Sequence, residues 1–326
     1  LGPPVDARLP NFLGRLAPME EIPAPDLPGM SDLPGMYLEA APWWPLLSPP
    51  EEYVDEAEHL RGLLARAGTD VRNVLDLGSG GGHLASHLTA YLDVCLVDLS
   101  PAMLEVSRKL NPGSEHVCAD MRTWRSDRLF DAVILHDAID YMASREDLAA
   151  ALATAYAHCR PGGIVVALPD ETRETYSAST GHGGVDGPDG RGARFLTWSW
   201  DPDPADDTVT TQYVMALRER DGTVRVVHDE HVTGIFSIAT WIDLLTEAGF
   251  DPVDAVEPDE PDVAPDVFFV ARRPLGCGAA LVERVAPPGP PRCSGVAHGS
   301  PWGHGPRPLH RPQVPAAARA HRLRRA

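Results

Sequence analysis

From Val71 onward, short apolar runs alternate with stretches whose apolar residues recur every three or four positions. The runs at 73–77, 94–97, 115–119, 130–136 and 163–168 read as strands. The stretches 83–92, 101–110 and 145–159 read as the helices between them, and Ser100 stands where a helix takes its N-cap. Continuous apolar strands separated by amphipathic helices predict a parallel sheet covered on both faces. Upstream, Tyr53, Val54, Ala57, Leu60, Leu63 and Leu64 fall on one face of a helix over 50–66, with Pro49 and Pro50 at its start.

The period changes after the fifth strand. Residues 194–200, 208–218 and 223–236 alternate with a period of two and are joined by turns such as Asp221-Gly222, which predicts an antiparallel insertion over about 171–236. The Gly- and Asp-rich stretch 180–192 reads as a mobile connection. A helix over 238–248 stops at Gly249, and 252–256 and 267–271 supply two closing strands. The pattern divides the chain into a Pro-rich arm (1–36), one α/β domain (37–274) and a tail (275–326). The arm repeats Leu-Pro-Gly-Met at 27–30 and 33–36. Within the tail, residues 276–326 hold eight arginines against one glutamate, about +7, which leaves about −26 for the rest. With so few large apolar residues the tail is expected to stay disordered or to act as a basic interaction segment.

Composition narrows the partners. A formal net charge of −19 repels phosphate backbones and argues against nucleic acid as substrate. No apolar run approaches the length of a membrane span, and the start of the chain lacks the apolar stretch of a signal peptide, so a cytoplasmic protein is expected. Five cysteines (Cys95, Cys118, Cys159, Cys277, Cys293) form no metal-type cluster, so no metal is expected.

Candidate chemistry begins at Asp76-Leu77-Gly78-Ser79-Gly80-Gly81-Gly82, between a strand and a helix. Glycines there allow a close backbone approach to a ligand. The spacing G-x-G-x-G differs from the dinucleotide pattern G-x-G-x-x-G. Asp76 suits the ammonium of an amino-acid moiety and would sit badly beside a pyrophosphate. Asp98, 22 residues on at the end of the second strand, is placed to accept ribose hydroxyls. Asp120 and Met121 end the third strand, where a carboxylate and an amide can meet an adenine.

As a set, these residues resemble the successive motifs of class I S-adenosylmethionine-dependent methyltransferases. The set comprises the 76–82 loop, Val97-Asp98-Leu99-Ser100-Pro101-Ala102-Met103-Leu104, Ala119-Asp120-Met121-Arg122, Phe130-Asp131-Ala132-Val133 and Arg160-Pro161-Gly162-Gly163. The resemblance implies an α/β, Rossmann-like sheet with helices on both faces. It also implies S-adenosylmethionine held by Tyr53, Asp76, Gly78, Gly80, Asp98, Leu99, Met103, Asp120, Met121 and His136. Gly81 departs from the pattern, which often has Thr or Cys there.

A narrower resemblance links Tyr37, the 52–57 segment and the strand Asp229-Glu230-His231 to small-molecule N-methyltransferases acting on amino sugars. It implies Tyr141 beside the acceptor amine. Trp43-Trp44-Pro45 and much of the insertion depart from that group.

Methyl transfer is an in-line displacement that needs alignment more than a catalytic triad. A base matters only where the nucleophile arrives protonated. His136, Asp137, Asp140, Tyr141, His228 and His231 are the candidates, with Tyr141 and His231 preferred. Asp229, on the same strand face, is a possible orienting acid for His231. Trp198 and Trp200 share a strand face and either line an acceptor pocket or pack the lid. The expected function is methyl transfer to a small-molecule amine such as an amino sugar, in a possible homodimer. A hydroxyl acceptor and a non-catalytic binding protein are the alternatives.

Overall fold

The computed structural model of this chain describes residues 29–30, 33–66, 70–257 and 267–275. Most of the Pro-rich arm, the tail from 276, Cys277 and Cys293 lie outside the described residues.

Two 3-10 turns, Gly35–Tyr37 and Ala41–Trp43, lead through the short helix α1 (Trp44–Leu47) and a third turn, Pro50–Tyr53, into α2 (Val54–Arg66). The alternating core follows as β1 (Asn73–Leu77), α3 (His83–Leu88), β2 (Asp93–Asp98), α4 (Pro101–Leu110), β3 (Glu115–Cys118), β4 (Phe130–His136), α5 (Arg145–His158) and β5 (Cys159–Leu168). The insertion comprises β6 (Ser179–Gly183), β7 (Gly192–Trp200), β8 (Thr208–Arg218) and β9 (Val224–Gly234). The chain then returns through α6 (Ile238–Glu247), β10 (Val253–Val256) and β11 (Phe268–Arg272).

The core strands form one seven-stranded sheet in the order β10-β11-β5-β4-β1-β2-β3. β11 alone runs against its neighbours, pairing antiparallel with β5 and β10. Each inner strand is buried on both faces. Leu75, Val133 and Val165 face one apolar layer with α5 and α6, while Val74, Ile134 and Val166 face the other with α2 and α3. On α2, Ala57, Leu60, Leu63 and Leu64 are at most 4% exposed. Such burial contributes about 1.5–3 kcal/mol for each of the three leucines, which fixes the helix on the sheet. Strand order reverses between β1 and β4, so a crevice opens at the carboxyl ends of those strands.

The four insertion strands form a second, antiparallel sheet in the order β6-β7-β8-β9. Its inner face packs Phe195, Met215, Leu217 and Val227 against Met36, Trp43, Leu46 and Leu47 of the N-terminal segment.

The parallel sheet, its covering helices and the insertion after the fifth strand agree with the sequence reading; several details do not. The stretch 180–192 is not simply a connection, because Ser179–Gly183 pairs with β7 as the edge strand β6. α3 ends at Leu88 rather than Leu92, where a tight turn leaves Tyr91 exposed. Val54 is 45% exposed, outside the apolar stripe of α2. Trp198, 57% exposed, lies on the outer face of β7, because the alternating inner positions are Phe195, Thr197 and Ser199.

Candidate functional site

The crevice at the carboxyl ends of β1, β2 and β4 widens into a cavity of about 380 Å³, roofed by the N-terminal segment and the insertion. All of Tyr53, Asp76, Gly78, Gly80, Asp98, Leu99, Met103, Asp120, Met121, His136, Tyr141 and His231 line it.

At one end, the glycine-rich loop turns between β1 and α3. The backbone there needs conformations that a side chain opposes. Gly78 has φ +83°, and a Cβ on it would lie 2.6 Å from both the Met121 and Ala138 side chains. Asp98 fixes the same loop: one carboxylate oxygen accepts the Gly80 amide at 2.7 Å, the other the Ser100 amide at 2.8 Å. Burial raises the Asp98 carboxyl and those two amides pull it back. A carboxylate has about four acceptor positions, so two remain for a ligand.

Asp76 is 2% exposed, and its Oδ1 has no hydrogen-bond partner. Burial pushes its carboxyl up to about 7, opposed by the nearby charge of His136. An orphaned buried carboxylate oxygen costs free energy unless a ligand satisfies it. A ligand ammonium matches that need. Asp120 differs from expectation in its company: Arg122 grips its carboxylate through Nε and Nη2, at 3.0 and 2.7 Å to Oδ2.

His136 ends β4, and its Nε2 lies 2.8 Å from both Glu56 Oε1 and Asp137 Oδ1. Burial disfavours the charged ring, but the two carboxylates outweigh it and hold the imidazole protonated well above its usual range. A ring held as a cation is a poor general base. Asp137 itself sits at φ +41°, a conformation that costs a non-glycine residue about 1–3 kcal/mol. That turn delivers Asp140 and Tyr141 into the cavity.

The other end is organised around His231 on β9. The hydroxyls of Tyr37 and Tyr141 are 2.8 Å apart, and Tyr141 Oη lies 2.6 Å from His231 Nδ1. The Tyr213 ring covers the imidazole at 4.4 Å between centroids. Burial raises both the Tyr37 and Tyr141 hydroxyls well above the ordinary phenol range, so they stay neutral and able to pass a proton. Asp229 does not orient His231 by a hydrogen bond, since the nearest approach is 4.0 Å. Its carboxylate instead accepts the amides of Gly35 and Met36, at 3.1 and 2.6 Å, and so fastens the N-terminal segment to the insertion. His228 points outward, where its Nε2 meets Gln212 Oε1 at 2.5 Å, and drops out as a base.

The N-terminal segment is tied at further points. Ser100 Oγ accepts the Met103 amide as the cap of α4 and donates to the Tyr37 carbonyl at 2.5 Å. Trp43 is buried against the insertion with Arg225 over its ring. Trp44 instead packs on the glycine-rich loop: a Cβ at Gly81 would lie 2.7 Å from its Cδ1. Gly81→Thr is therefore expected to destabilise the protein by about 1–3 kcal/mol through overpacking. In a Trp44→Ala background the penalty should shrink; an equal penalty in both, measured by urea unfolding, would remove the contact as its cause.

Sequence reasoning missed Glu56 as the partner of His136, and Tyr213 as the cover of His231. The first arises from a pairing far apart in the chain, the second from the register of the neighbouring strands β8 and β9. The alternation on β8, which sets Thr211, Tyr213 and Met215 on one face, was the available signal for Tyr213.

Residues 74–163 match the family described as a methyltransferase domain. Two curated relatives are similar to the chain. The dTDP-3-amino-3,4,6-trideoxy-alpha-D-glucopyranose N,N-dimethyltransferase of Streptomyces venezuelae is 32% identical over 129 residues, 39% of this chain and 54% of that protein. The dTDP-3-amino-3,6-dideoxy-alpha-D-glucopyranose N,N-dimethyltransferase of Streptomyces fradiae is 33% identical over 121 residues, 36% and 48% of the two chains. The matched region thus spans about half the length of these relatives. Among solved structures, Streptomyces venezuelae DesVI superposes with a TM-score of 0.59 at 27% identity, over 68% of this chain and 92% of its own. The sugar N-methyltransferase KedS8 from Streptoalloteichus gives 0.60 at 26%, over 68% and 88%.

Proposed function

We propose that this chain, whose fold is that of the class I methyltransferases, binds S-adenosylmethionine in the crevice and methylates an amine on a small sugar-like molecule. The observation that carries the reading is the pairing of an orphaned, buried Asp76 carboxylate with the Asp98-braced glycine loop in one cavity. Asp76 would take the ammonium of the donor, Asp98 its ribose hydroxyls, and Asp120 with Met121 the adenine edge. Tyr53, Leu99 and Met103 would pack around it, and Gly78 and Gly80 would admit it closely. Bound there, the donor supplies a methyl group on a positively charged sulfur.

The residues of the chain do the rest. The roof of N-terminal segment and insertion excludes water and holds the acceptor nitrogen in line. A protonated amine must lose a proton to become a nucleophile. Tyr141 is placed to receive it and His231 Nδ1 to draw it onward, so these two are the proposed catalytic residues. His136 then acts as a fixed cation beside the donor site. The name-level likeness to amino-sugar N-methyltransferases supports nitrogen over oxygen as the methylated atom.

Incubation with labelled S-adenosylmethionine and a panel of amines and phenols tests the reading. Transfer to a sugar amine is expected. Tight donor binding with no transfer to any acceptor would support a non-catalytic binding protein instead.

Donor affinity should also depend on pH. The ammonium of the donor needs Asp76 ionised, and its carboxyl lies at about 7. Affinity is therefore full above that value and lost as pH falls through it. Proton linkage predicts about a tenfold rise in Kd between pH 8 and pH 6. Calorimetry with S-adenosylhomocysteine checks this, and Asp76→Asn should flatten the dependence while weakening binding throughout.

The proposed partners are a small methyl acceptor and a second copy of the chain, with neither nucleic acid nor membrane. Among the described residues no helix is long and apolar enough to cross a membrane. The outer face of the insertion exposes Leu196, Trp198, Val214, Val226 and Val232, which supports a homodimer through that sheet. A monomer in sedimentation velocity would remove that part of the reading. The cytoplasm is the proposed location.

A further inference from the structure

The insertion sheet is inverted in polarity at its open end. Leu196, Trp198, Val214 and Val232 are exposed on the outer face, whereas Ser179, Thr197, Ser199, Thr211 and Thr233 line the cavity. A sheet that only covers a core shows the opposite arrangement, apolar inside and polar outside. Hydroxyls withdrawn from water cost free energy unless something bonds them.

Strand register sets three of these residues and His231 in one line. Ser179 on β6 lies opposite Ser199 on β7, Ser199 opposite Thr211 on β8, and Thr211 opposite His231 on β9. Directly opposed residues of antiparallel strands share a face, with Cβ atoms about 4.5–5.5 Å apart. The line therefore crosses the whole sheet, from its edge strand to the imidazole, over strand spacings that add up to ~14 Å. Each of its members lines the cavity.

Two observations show that the line is built to meet something other than the protein's own groups. At its inner end His231 is 2% exposed, and its Nε2 has no hydrogen-bond partner. Along it, the Ser199 hydroxyl meets the Tyr176 hydroxyl at 3.3 Å. Among the described residues, nothing bonds the hydroxyls of Ser179 or Thr211.

The chemistry of the line defines what it would take. Ser179, Ser199 and Thr211 offer hydroxyls at intervals of one strand, and no ring on which a nucleobase could stack. Each hydroxyl can donate and accept, which matches hydroxyls on a ligand. With the acceptor amine held at Tyr141 and His231, the line reaches further than a single sugar ring extends.

We propose that Ser179, Ser199 and Thr211 form a subsite for a second hydroxylated ring, so that the acceptor is an amino sugar already joined to another sugar-like ring. The proposal rests on the reading of the cavity as a methyl-transfer site. It departs from the nucleotide-linked single sugars for which the curated relatives are named.

The test is calorimetric titration of the protein loaded with S-adenosylhomocysteine. One arm uses methyl 3-amino-3-deoxyglucopyranoside, the second a disaccharide of the same amino sugar linked to glucose, and the third the same amino sugar linked to dTDP. The disaccharide should bind at least about tenfold more tightly than the single ring, the effect of two modest hydrogen bonds. It should also bind more tightly than the dTDP-linked sugar. Thr211→Val keeps the β-branched shape that a strand favours. It should cut the disaccharide's advantage by roughly threefold, and adding Ser199→Ala should remove most of the rest. Unchanged donor affinity in both variants is the control for folding. Equal binding of the single ring and the disaccharide overturns the proposal, as does tighter binding of the dTDP-linked sugar or binding of none of the three. A disaccharide advantage that survives the double variant overturns it too. In each case the methyl-transfer reading stands or falls separately, on donor binding and on the labelled-transfer panel.

Discussion

Replacing Asp98 by alanine is expected to raise the Kd for S-adenosylhomocysteine by about a hundredfold or more. The side chain has two duties that fail together. Its oxygens hold the Gly80 and Ser100 amides, which set the glycine loop and the start of α4. Its remaining acceptor positions face the cavity, where ribose hydroxyls would lie. Hydrogen bonds to a charged group contribute about 1.5–3 kcal/mol each, so losing two of them accounts for the expected factor. Asp98→Asn keeps the shape and one acceptor, and should fall between wild type and alanine. Calorimetry measures both; wild-type affinity in Asp98→Ala would sink the placement of the donor.

The second large effect concerns His231. His231→Gln is expected to lower kcat by about 10²–10⁴, the usual range for a positioned base, while donor affinity stays within about twofold. Glutamine is preferred to alanine because His231 is only 2% exposed and a void there would confuse stability with catalysis. Tyr141→Phe breaks the link between the Tyr37 hydroxyl and the imidazole, yet keeps the ring. Its loss in kcat should be of the same kind and smaller. Single-turnover rates across pH separate proton removal from positioning: in the histidine variant the dependence on pH should flatten. Rates unchanged in both variants would assign the acceleration to alignment alone and leave Tyr141 and His231 as packing residues.

The donor end was more legible in the sequence than the acceptor end, and the reason is physical. Asp76, Gly78, Gly80, Asp98 and Asp120 sit at the ends of consecutive parallel strands, so one-dimensional spacing already fixes their three-dimensional order. The acceptor end is assembled from Tyr37, Tyr141, Tyr213 and His231; Tyr213 meets His231 across the neighbouring strands β8 and β9, but Tyr37 and Tyr141 join them only through pairings across 90 residues or more. Trp198 shows the limit of face assignment in a strand. Alternation separated two sets of residues, but the apolar set was partly on the outside, since the inner face serves a polar cavity. Asp229 shows a second limit. Its side of the strand was legible, but its partners Gly35 and Met36 lie almost two hundred residues away.

The contact between Trp44 and Gly81 has a consequence for how such a chain can change over generations. A residue with a side chain in the loop excludes the indole, and the indole in turn excludes that side chain. Substitution at either position alone passes through a strained or underpacked intermediate. The two sites are therefore expected to vary as a pair, with glycine accompanying tryptophan and a larger loop residue accompanying something smaller in the N-terminal segment. A homologue carrying Thr or Cys in the loop should accept Trp at the matching segment position only after reverting to glycine.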